Sequence, residues 1–295
     1  EETYKDFVRG GANLDSVSQA KLRELNTEIS SLQTTFGQNM LKETNAFRLV
    51  IDNEADLAGL PANLIAVAAE TAKADSMEGK WVFTLHNPSI MPFLQYAENR
   101  ELREKILMGY LNRGNNGNEN DTKDLIVRMM ELRIEKAKLL GYRNPAQMIL
   151  ADKMAGTPEA VDTFLAGIMA PAVEKAKEEI ADMQVVMDED IKAGLLPEGS
   201  VIEPWDWAYY TEKVRKAKYA LDEEQTKPYF QMENVRQGVF DLTTKLFGLQ
   251  YEKREDIPVY HEDVEGFKVT DADGSLIGVI LTDYFPRSTK RGGAW

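Results

Sequence analysis

The sequence predicts a mainly α-helical protein, built as one or more multi-helix lobes that carry small antiparallel β-hairpins. Three observations predict this fold class. Apolar residues recur every three or four positions over long stretches, which is the spacing of one helix face. Turn-forming residues interrupt these stretches repeatedly, so each stretch reads as a separate helix. A few short segments instead have the β-branched and aromatic composition of strands.

The first long helix is predicted by an apolar stripe in the first fifth of the chain. The stripe consists of Leu22, Leu25, Ile29, Leu32, Phe36 and Met40. The residues between these positions are polar, and Asp15 or Ser16 can cap the helix start. We expect a helix of roughly seven turns, at about 3.6 residues per turn. The partner of its apolar face must lie elsewhere in the chain.

A small β-ribbon is expected to follow this helix. Phe47–Ile51 and Lys80–Leu85 have strand composition and can pair antiparallel, with a short helix opened by Pro61 as their connection. The chain then becomes helical again. The predicted helices are 89–97, 101–113, 121–140, 145–151 and 157–193. Thr157-Pro158-Glu159 is a favourable helix start, because it places a capping hydroxyl, a proline and an acid in the order that a helix N-terminus prefers.

A turn-rich connector at residues 194–200 is the expected boundary between two lobes. It divides the chain into an N-terminal helical lobe with the small β-ribbon, residues 1–195, and the start of a second lobe, residues 196–295. In the second lobe we predict helices over 205–218 and 232–247 and extended structure at 251–255. A hairpin is expected over 267–281, because Asp273-Gly274 supplies the positive backbone angles of its turn.

Composition excludes several function classes. The 295 residues carry a formal net charge of -14, from 49 acidic and 35 basic residues, so phosphate backbones repel the chain and nucleic-acid binding is not expected. No run of apolar residues is long enough to span a membrane. Cysteine is absent, which removes disulfides, thiolate metal sites and a cysteine nucleophile. This composition fits a cytoplasmic protein or, alternatively, a periplasmic protein without disulfides.

The two histidines are the first candidates for metal ligands. A catalytic zinc site on one helix needs two imidazoles one helical turn apart, with a glutamate beside them to activate water. His86 and His261 lie far apart in sequence, and the segment beginning at His261 has Glu265 where the second histidine would stand. We therefore expect no metal ligand and no catalytic residue in this chain. The aspartates at 271 and 273 are expected to form the hairpin turn rather than a calcium loop.

An aromatic cluster opens the second lobe. Trp205, Trp207, Tyr209 and Tyr210 are expected to pack as structural residues, with the lining of a peptide channel as the alternative. Asp206 stands between the two tryptophans. We expect its carboxylate to accept an indole N–H or to pair with Arg215 or Lys216.

Several motifs together resemble the thimet-oligopeptidase family of zinc peptidases, and within it the bacterial peptidyl-dipeptidases. They cover nearly the whole chain in the family's order: 139–142 (LLGY), 152–155 (DKMA), 157–159 (TPE), 205–210 (WDWAYY), 227–230 (KPYF), 238–240 (GVF), 246–248 (LFG), 285–287 (FPR) and 290–295 (KRGGAW). The resemblance implies a zincin-like oligopeptidase, with residues 196–295 as the truncated start of its catalytic lobe. It also implies that the HExxH zinc helix lies beyond Trp295.

The resemblance implies that the whole protein is a zinc-dependent peptidase that hydrolyses short peptides and, in the dipeptidase branch, releases C-terminal dipeptides. The 295-residue fragment itself is expected to be inactive, to hold no zinc and to self-associate through surface meant for the missing lobe. Gly292, Gly293 and Ala294 lack bulk, so a substrate backbone can approach them closely; a tight strand crossing is the alternative. A non-enzymatic helical module that binds peptides or proteins remains the second hypothesis, which the reading frame after Trp295 would distinguish.

Overall fold

The structure is a computed structural model that describes residues 1–220 and 225–292, and its chain divides into two compact units. The first unit comprises Glu1–Val214 together with Arg291 and Gly292, and the second comprises Arg215–Lys290. In the described residues the helices are α1 (Glu2–Arg9), α2 (Ser16–Ala46), α3 (Ala62–Ala74), α4 (Asn87–Tyr96), α5 (Arg100–Leu111), α6 (Lys123–Leu139), α7 (Pro145–Leu150), α8 (Pro158–Lys192), α9 (Trp207–Tyr219) and α10 (Met232–Phe247). The strands are β1 (Leu49–Ile51), β2 (Trp81–Phe83), β3 (Gln250–Lys253), β4 (Glu265–Thr270) and β5 (Leu276–Thr282). The mainly α-helical class is therefore confirmed.

Helix α2 is the long amphipathic helix that the sequence predicts. The carboxylate of Asp15 caps its start by accepting hydrogen bonds from the backbone N–H groups of Val17 and Ser18, each at 2.9 Å. The partner of its apolar face is α6: Leu25 packs against Leu132, and both are buried. The ion pairs Lys21–Glu135 and Glu28–Arg128 occur in opposite order along the two helices, so α2 and α6 run antiparallel.

The predicted β-ribbon is also confirmed and lies at the centre of the first unit's largest core. Strands β1 and β2 pair antiparallel, with Leu49 opposite Phe83. Both side chains are fully buried, and Phe83 meets Phe93 of α4 edge to face at 4.7 Å between ring centroids. Helix α3 connects the strands and adds Leu64 and Ala68 to this core. A two-stranded ribbon is only marginally stable alone, so the helices around it supply most of its stability.

The helices after the ribbon begin close to the positions at which the sequence predicts helix starts. Asn99, Asn144 and Thr157 each accept a hydrogen bond from a backbone N–H of the first helical turn, at 3.2, 2.9 and 3.1 Å. Helix α8 follows Thr157, with Pro158 as its first residue, and ends before Gly194, whose φ of +75° suits glycine. The turn at 194–200 lies within the first unit, and the division between the compact units falls inside α9 instead. The expected lobe boundary at residue 195 concerns the whole protein and stays a prediction.

The second unit joins α10 to a three-stranded antiparallel sheet in the order β3-β4-β5. Helix α10 has the predicted bounds and ends at Gly248, in the left-handed conformation at φ +78°. The predicted hairpin connects β4 to β5: the backbone N–H of Asp271 donates to the carbonyl of Ser275, and Gly274 has a φ of +86°. Phe240 of α10 stacks on Tyr251 of β3 at 4.0 Å and contacts Phe267 of β4, which closes the unit's small core. Within the described residues, no helix combines the length and the apolar character needed to cross a bilayer.

Candidate functional site

The segment just before α9 is organised around the buried carboxylate of Asp206. Residues Pro204–Asp206 form one turn of 3-10 helix, and Asp206 accepts the backbone N–H of Glu203 at 3.1 Å, as in a capping box. Two arginines of α5 reach the same carboxylate. Because Arg100 and Arg103 are three residues apart, they lie on one face of the helix.

The contacts of these arginines are numerous and short. Arg100 donates to both carboxylate oxygens of Asp206, with a shortest distance of 2.6 Å from Nη2 to Oδ2. Arg103 donates from Nη2 to Oδ1 at 2.8 Å. Its Nη1 group donates to the carbonyls of Ala97 and Glu98, and its Nε group donates to the carbonyl of Trp205. The bonds with Asp206 raise the pKa of Arg100 above its ordinary value, although partial burial opposes this rise. Asp206 and Arg103 are inaccessible to solvent, so this is a buried and hydrogen-bonded ion pair.

The partners expected for Asp206 from the sequence were wrong. Asp206 pairs with Arg100 and Arg103 rather than with Arg215 or Lys216. It does not accept the indole N–H of Trp205, because that nitrogen is buried and has no hydrogen-bond partner among the described residues. The two arginines stand about a hundred residues before Asp206 in the chain. Only their three-residue spacing on a predicted helix could have suggested that they share one acidic partner.

The aromatic residues around Asp206 fill different environments. Tyr210 is buried, and its hydroxyl donates to Asp190 of α8 at 2.8 Å. Burial raises the pKa of Tyr210 far above its ordinary value, and the bond to Asp190 adds to this rise. The ammonium of Lys213 donates to the same carboxylate at 2.6 Å. Trp207, by contrast, exposes 41% of its surface. Tyr210 is therefore a structural residue, whereas Trp205 and Tyr209 are partly buried and Trp207 is exposed.

Neither histidine belongs to a metal centre among the described residues. His86 stands at the N-cap of α4, with Nδ1 3.1 Å from the hydroxyl of Thr84 and with Nε2 buried and unpaired. Burial lowers its pKa, and the charge of Arg48 lowers it further. His261 accepts the backbone N–H of Asp263 at 3.2 Å. In the described part of the chain, no three histidine or acidic side chains converge as metal ligands would.

Comparison with known proteins connects this geometry to a family. A model described as peptidase family M3 matches residues 93–295, a range that contains both arginines, Asp206 and the whole second unit. The chain belongs to peptidase family M3. The family resemblance that the sequence motifs indicate is thereby confirmed.

Individual members of family M3 align with the whole chain. It is 38% identical over 296 residues to a protein named dipeptidyl carboxypeptidase from Escherichia coli, with 100% of this chain and 43% of the relative covered. It is 32% identical over 299 residues to oligopeptidase A of Haemophilus influenzae, again with 100% and 43% covered. Saccharolysin of Saccharomyces cerevisiae is 28% identical over 307 residues, with 41% of its length covered. The chain thus spans less than half the length of these M3 relatives.

The residues predicted to contact substrate stand at the end of this M3 chain. Gly292 is exposed, and a Cβ added to it would meet nothing within 4 Å among the described atoms. A tight strand crossing at Gly292 itself is therefore not seen in the described residues. Gly293 and Ala294 lie outside the described residues. The role of all three in substrate contact stays a prediction.

The segment that leads towards Gly292 is held by one carboxylate of the second unit. Asp283 accepts two hydrogen bonds from the guanidinium of Arg287, at 2.8 Å each, and one from the hydroxyl of Tyr260 at 3.0 Å. Lys290 pairs with the same carboxylate and donates to the carbonyls of Asp283 and Phe285. The Arg287 bonds in particular hold the pKa of Asp283 far below its ordinary range. These contacts fix a segment of the M3 chain that has no regular secondary structure.

Proposed function

We propose that this chain is part of a zinc-dependent M3 peptidase that hydrolyses short peptides and that, in its dipeptidyl form, releases dipeptides from their C-termini. The observation that carries this proposal is the match of residues 93–295 to the family, together with 38% identity to a dipeptidyl carboxypeptidase. The name of that relative favours dipeptide release over the broader oligopeptidase activity that other relatives' names indicate. Zinc would act as a Lewis acid on the scissile carbonyl and on water, and its ligands would lie in sequence that follows Trp295.

In such a peptidase, this chain would support and shape the substrate site, and it would not supply catalytic residues. In the first unit, the buried Asp206 network fixes the start of α9 and leaves Trp207 exposed beside it. In the second unit, the Asp283 cluster fixes the segment up to Lys290. We infer that Gly292, Gly293 and Ala294 then admit a substrate backbone, because small side chains leave room for close approach.

The same proposal covers the partners and the compartment. The partners would be short peptides, since the net charge of -14 disfavours nucleic acid. We propose a cytoplasmic location, with the periplasm as the alternative; the absence of cysteine is compatible with both. Cell fractionation followed by immunoblotting distinguishes the two compartments.

The experiment compares two purified proteins, the 295-residue chain and the longer product of its reading frame. Each is incubated with zinc and an internally quenched peptide. We expect no turnover by the 295-residue chain, and turnover by the longer product that a chelator abolishes. Mass spectrometry of the products, with free and amidated C-termini compared, identifies dipeptide release. Turnover by the 295-residue chain that a chelator abolishes would refute the assignment of the zinc ligands to later sequence.

A further inference from the structure

The side chain of Arg291 lies directly on Gly37, in the interior of α2. A Cβ atom added to Gly37 would come within 2.6 Å of the Cζ and Nη2 atoms of Arg291 and within 2.8 Å of its Nη1 atom. Because these three distances are nearly equal, the face of the guanidinium plane, and not its edge, covers Gly37. Both residues belong to the first unit. Any larger residue at position 37 would therefore push the guanidinium away from the helix.

A glycine inside a helix of 31 residues has a cost that this contact explains. Glycine destabilises a helix interior relative to alanine, because its backbone loses more freedom on folding. At Gly37 the missing side chain lets the guanidinium approach the helix backbone closely. Arginine suits such a contact, since its planar group stacks flat and is more weakly hydrated than an ammonium group. Gly37 thus determines where the guanidinium of Arg291 lies.

Arg291 has no acidic partner, in contrast to the two cations that precede it in the chain. Arg287 and Lys290 both pair with the carboxylate of Asp283. Arg291 is exposed, and it makes no ion pair and no hydrogen bond with any residue that the structure describes. A guanidinium carries five N–H donors in a planar fork that matches the two oxygens of a carboxylate. The contact with Gly37 leaves this fork available to a carboxylate of another molecule.

The position of Arg291 in the sequence indicates which carboxylate that is. Arg291 directly precedes Gly292, Gly293 and Ala294, the residues to which we assign contact with the substrate backbone. Acidic side chains occur in some peptides only, whereas every unmodified peptide has a carboxylate at its C-terminus. An enzyme that releases a unit of fixed length from that end must recognise the end itself. Arginine does this well, because its hydrogen bonds to a carboxylate are charge-assisted and bidentate.

We propose that Arg291 binds the C-terminal carboxylate of the peptide substrate and that Gly37 positions the guanidinium for this contact. The inference rests on the proposed function, because it assigns a specificity role within that peptidase. Arg291 is then a substrate-binding residue, and Gly37 is a positioning residue that acts through it. The net charge of -14 repels an anionic peptide end, and a cation beside the substrate segment offsets this repulsion locally.

The role of Arg291 is tested in the longer product of the reading frame, incubated with zinc. Two internally quenched peptides are compared, which differ only in a free or an amidated C-terminus. We expect the wild type to have the higher kcat/KM for the free acid. Arg291→Gln should reduce this preference at least about tenfold, mainly through KM, because a charge-assisted hydrogen bond is lost. Arg291→Lys should keep part of the preference, since it keeps the charge but not the bidentate geometry.

The role of Gly37 is tested with Gly37→Leu and with a matched control, Gln38→Leu, at the neighbouring exposed position of α2. Gly37→Leu should also reduce the preference for the free acid, whereas the control should keep it. When Gly37→Leu is combined with Arg291→Gln, the two effects should not add, because both act on one contact. Leucine is a good helix former, and the displaced group is the end of a flexible side chain. Neither leucine variant should therefore lower the urea midpoint of the 295-residue chain.

Trypsin gives a measurement of the Gly37 contact that does not require peptidase activity. Trypsin cleaves after an arginine only when that side chain enters its binding pocket. In the 295-residue chain, Gly37→Leu should therefore speed cleavage between Arg291 and Gly292 at least several-fold, as followed by mass spectrometry. Gln38→Leu should leave the rate of this cleavage unchanged.

The outcomes separate this inference from the proposed function. No peptide turnover by the longer product would refute the proposed function itself. Turnover without a preference for the free acid, or with the same preference in Arg291→Gln, would leave the peptidase assignment standing and would overturn the role of Arg291. If Gly37→Leu behaved like the wild type in both assays, or if Gln38→Leu behaved like Gly37→Leu, the positioning role of Gly37 would be overturned.

Discussion

Replacing Asp206 by asparagine tests whether the buried ion pair holds the first unit together. The substitution keeps the shape of the side chain but removes the negative charge that Arg100 and Arg103 share. Breaking a buried pair by removing one partner costs about 3–5 kcal/mol, because the remaining charge stays buried without compensation. Arg103 is only 1% exposed but keeps its bonds to three backbone carbonyls, and Arg100 is 25% exposed and can be hydrated. We therefore expect a loss near the lower limit, about 3 kcal/mol.

Urea unfolding followed by tryptophan fluorescence measures this loss, since Trp81, Trp205 and Trp207 all lie in the first unit. The urea midpoint should fall while the slope stays constant. For a unit of this size, the melting temperature should fall by roughly 6–12 °C. The control is Lys175→Gln, which removes an ion pair with Glu178 in which the side chains are 67% and 69% exposed and which should leave the midpoint unchanged.

A double variant distinguishes the cost of an unpaired buried charge from the cost of lost packing. If Asp206→Leu is combined with Arg103→Met, both buried charges are removed, and part of the lost stability should return. A loss below about 1 kcal/mol in Asp206→Asn would refute the reasoning, since it would show that water or the carbonyl groups already satisfy the arginines.

Two further predictions concern pH and substrate. The pKa of His86 is lowered by burial and by Arg48, so the folded state binds its proton less readily than the unfolded state does. The free energy of unfolding should therefore fall as the pH drops through about 6.5, the ordinary histidine value, and should level off below the folded pKa. His86→Asn should remove this part of the pH dependence, as measured by urea midpoints at neutral and acidic pH; an unchanged dependence would assign it to other groups. In the longer peptidase, Gly292→Val should raise KM several-fold with little change in kcat. In the 295-residue chain the same substitution should leave the urea midpoint unaffected, because a side chain there meets no described atom within 4 Å. An unchanged KM would remove Gly292 from the substrate site.

The helices and strands were largely predictable because each depends on residues close together in sequence. The stripe and the cap of α2, the cap of α8, and the Asp-Gly turn of the hairpin are all local signals, and all of them are confirmed. Helix α1 was missed. It is only eight residues long, about two turns, and Tyr4, Phe7 and Val8 are too few apolar positions for periodicity to establish a helix.

The contacts of the candidate site were not predictable, because they join segments far apart in sequence. The Arg103–Asp206 pair and the Tyr210–Asp190 bond both depend on how helices pack, which periodicity does not encode. The loop after α5 is a second example. The side-chain amides of Asn116, Asn118 and Asn120 all donate to the carboxylate of Glu43 in α2. The sequence shows only that these residues favour a loop.

These long-range contacts have a common physical form. Glu43 and Asp283 are each single carboxylates that accept several N–H or O–H groups from a segment without long regular structure. Asp206 lies in such a segment itself, and its carboxylate ties that segment to Arg100 and Arg103 of α5. Such a segment cannot satisfy its polar groups through a helix or a sheet, and an unsatisfied buried group is costly. An ionised carboxylate has about four acceptor positions, so one acid can organise a whole loop. Burial by itself would raise the pKa of Glu43. The hydrogen bonds from the asparagine side chains outweigh this effect and lower the pKa, so the Glu43 carboxylate stays charged. The acidic residues of this chain therefore do more than confer net charge: at these three positions they hold irregular segments of the chain in place.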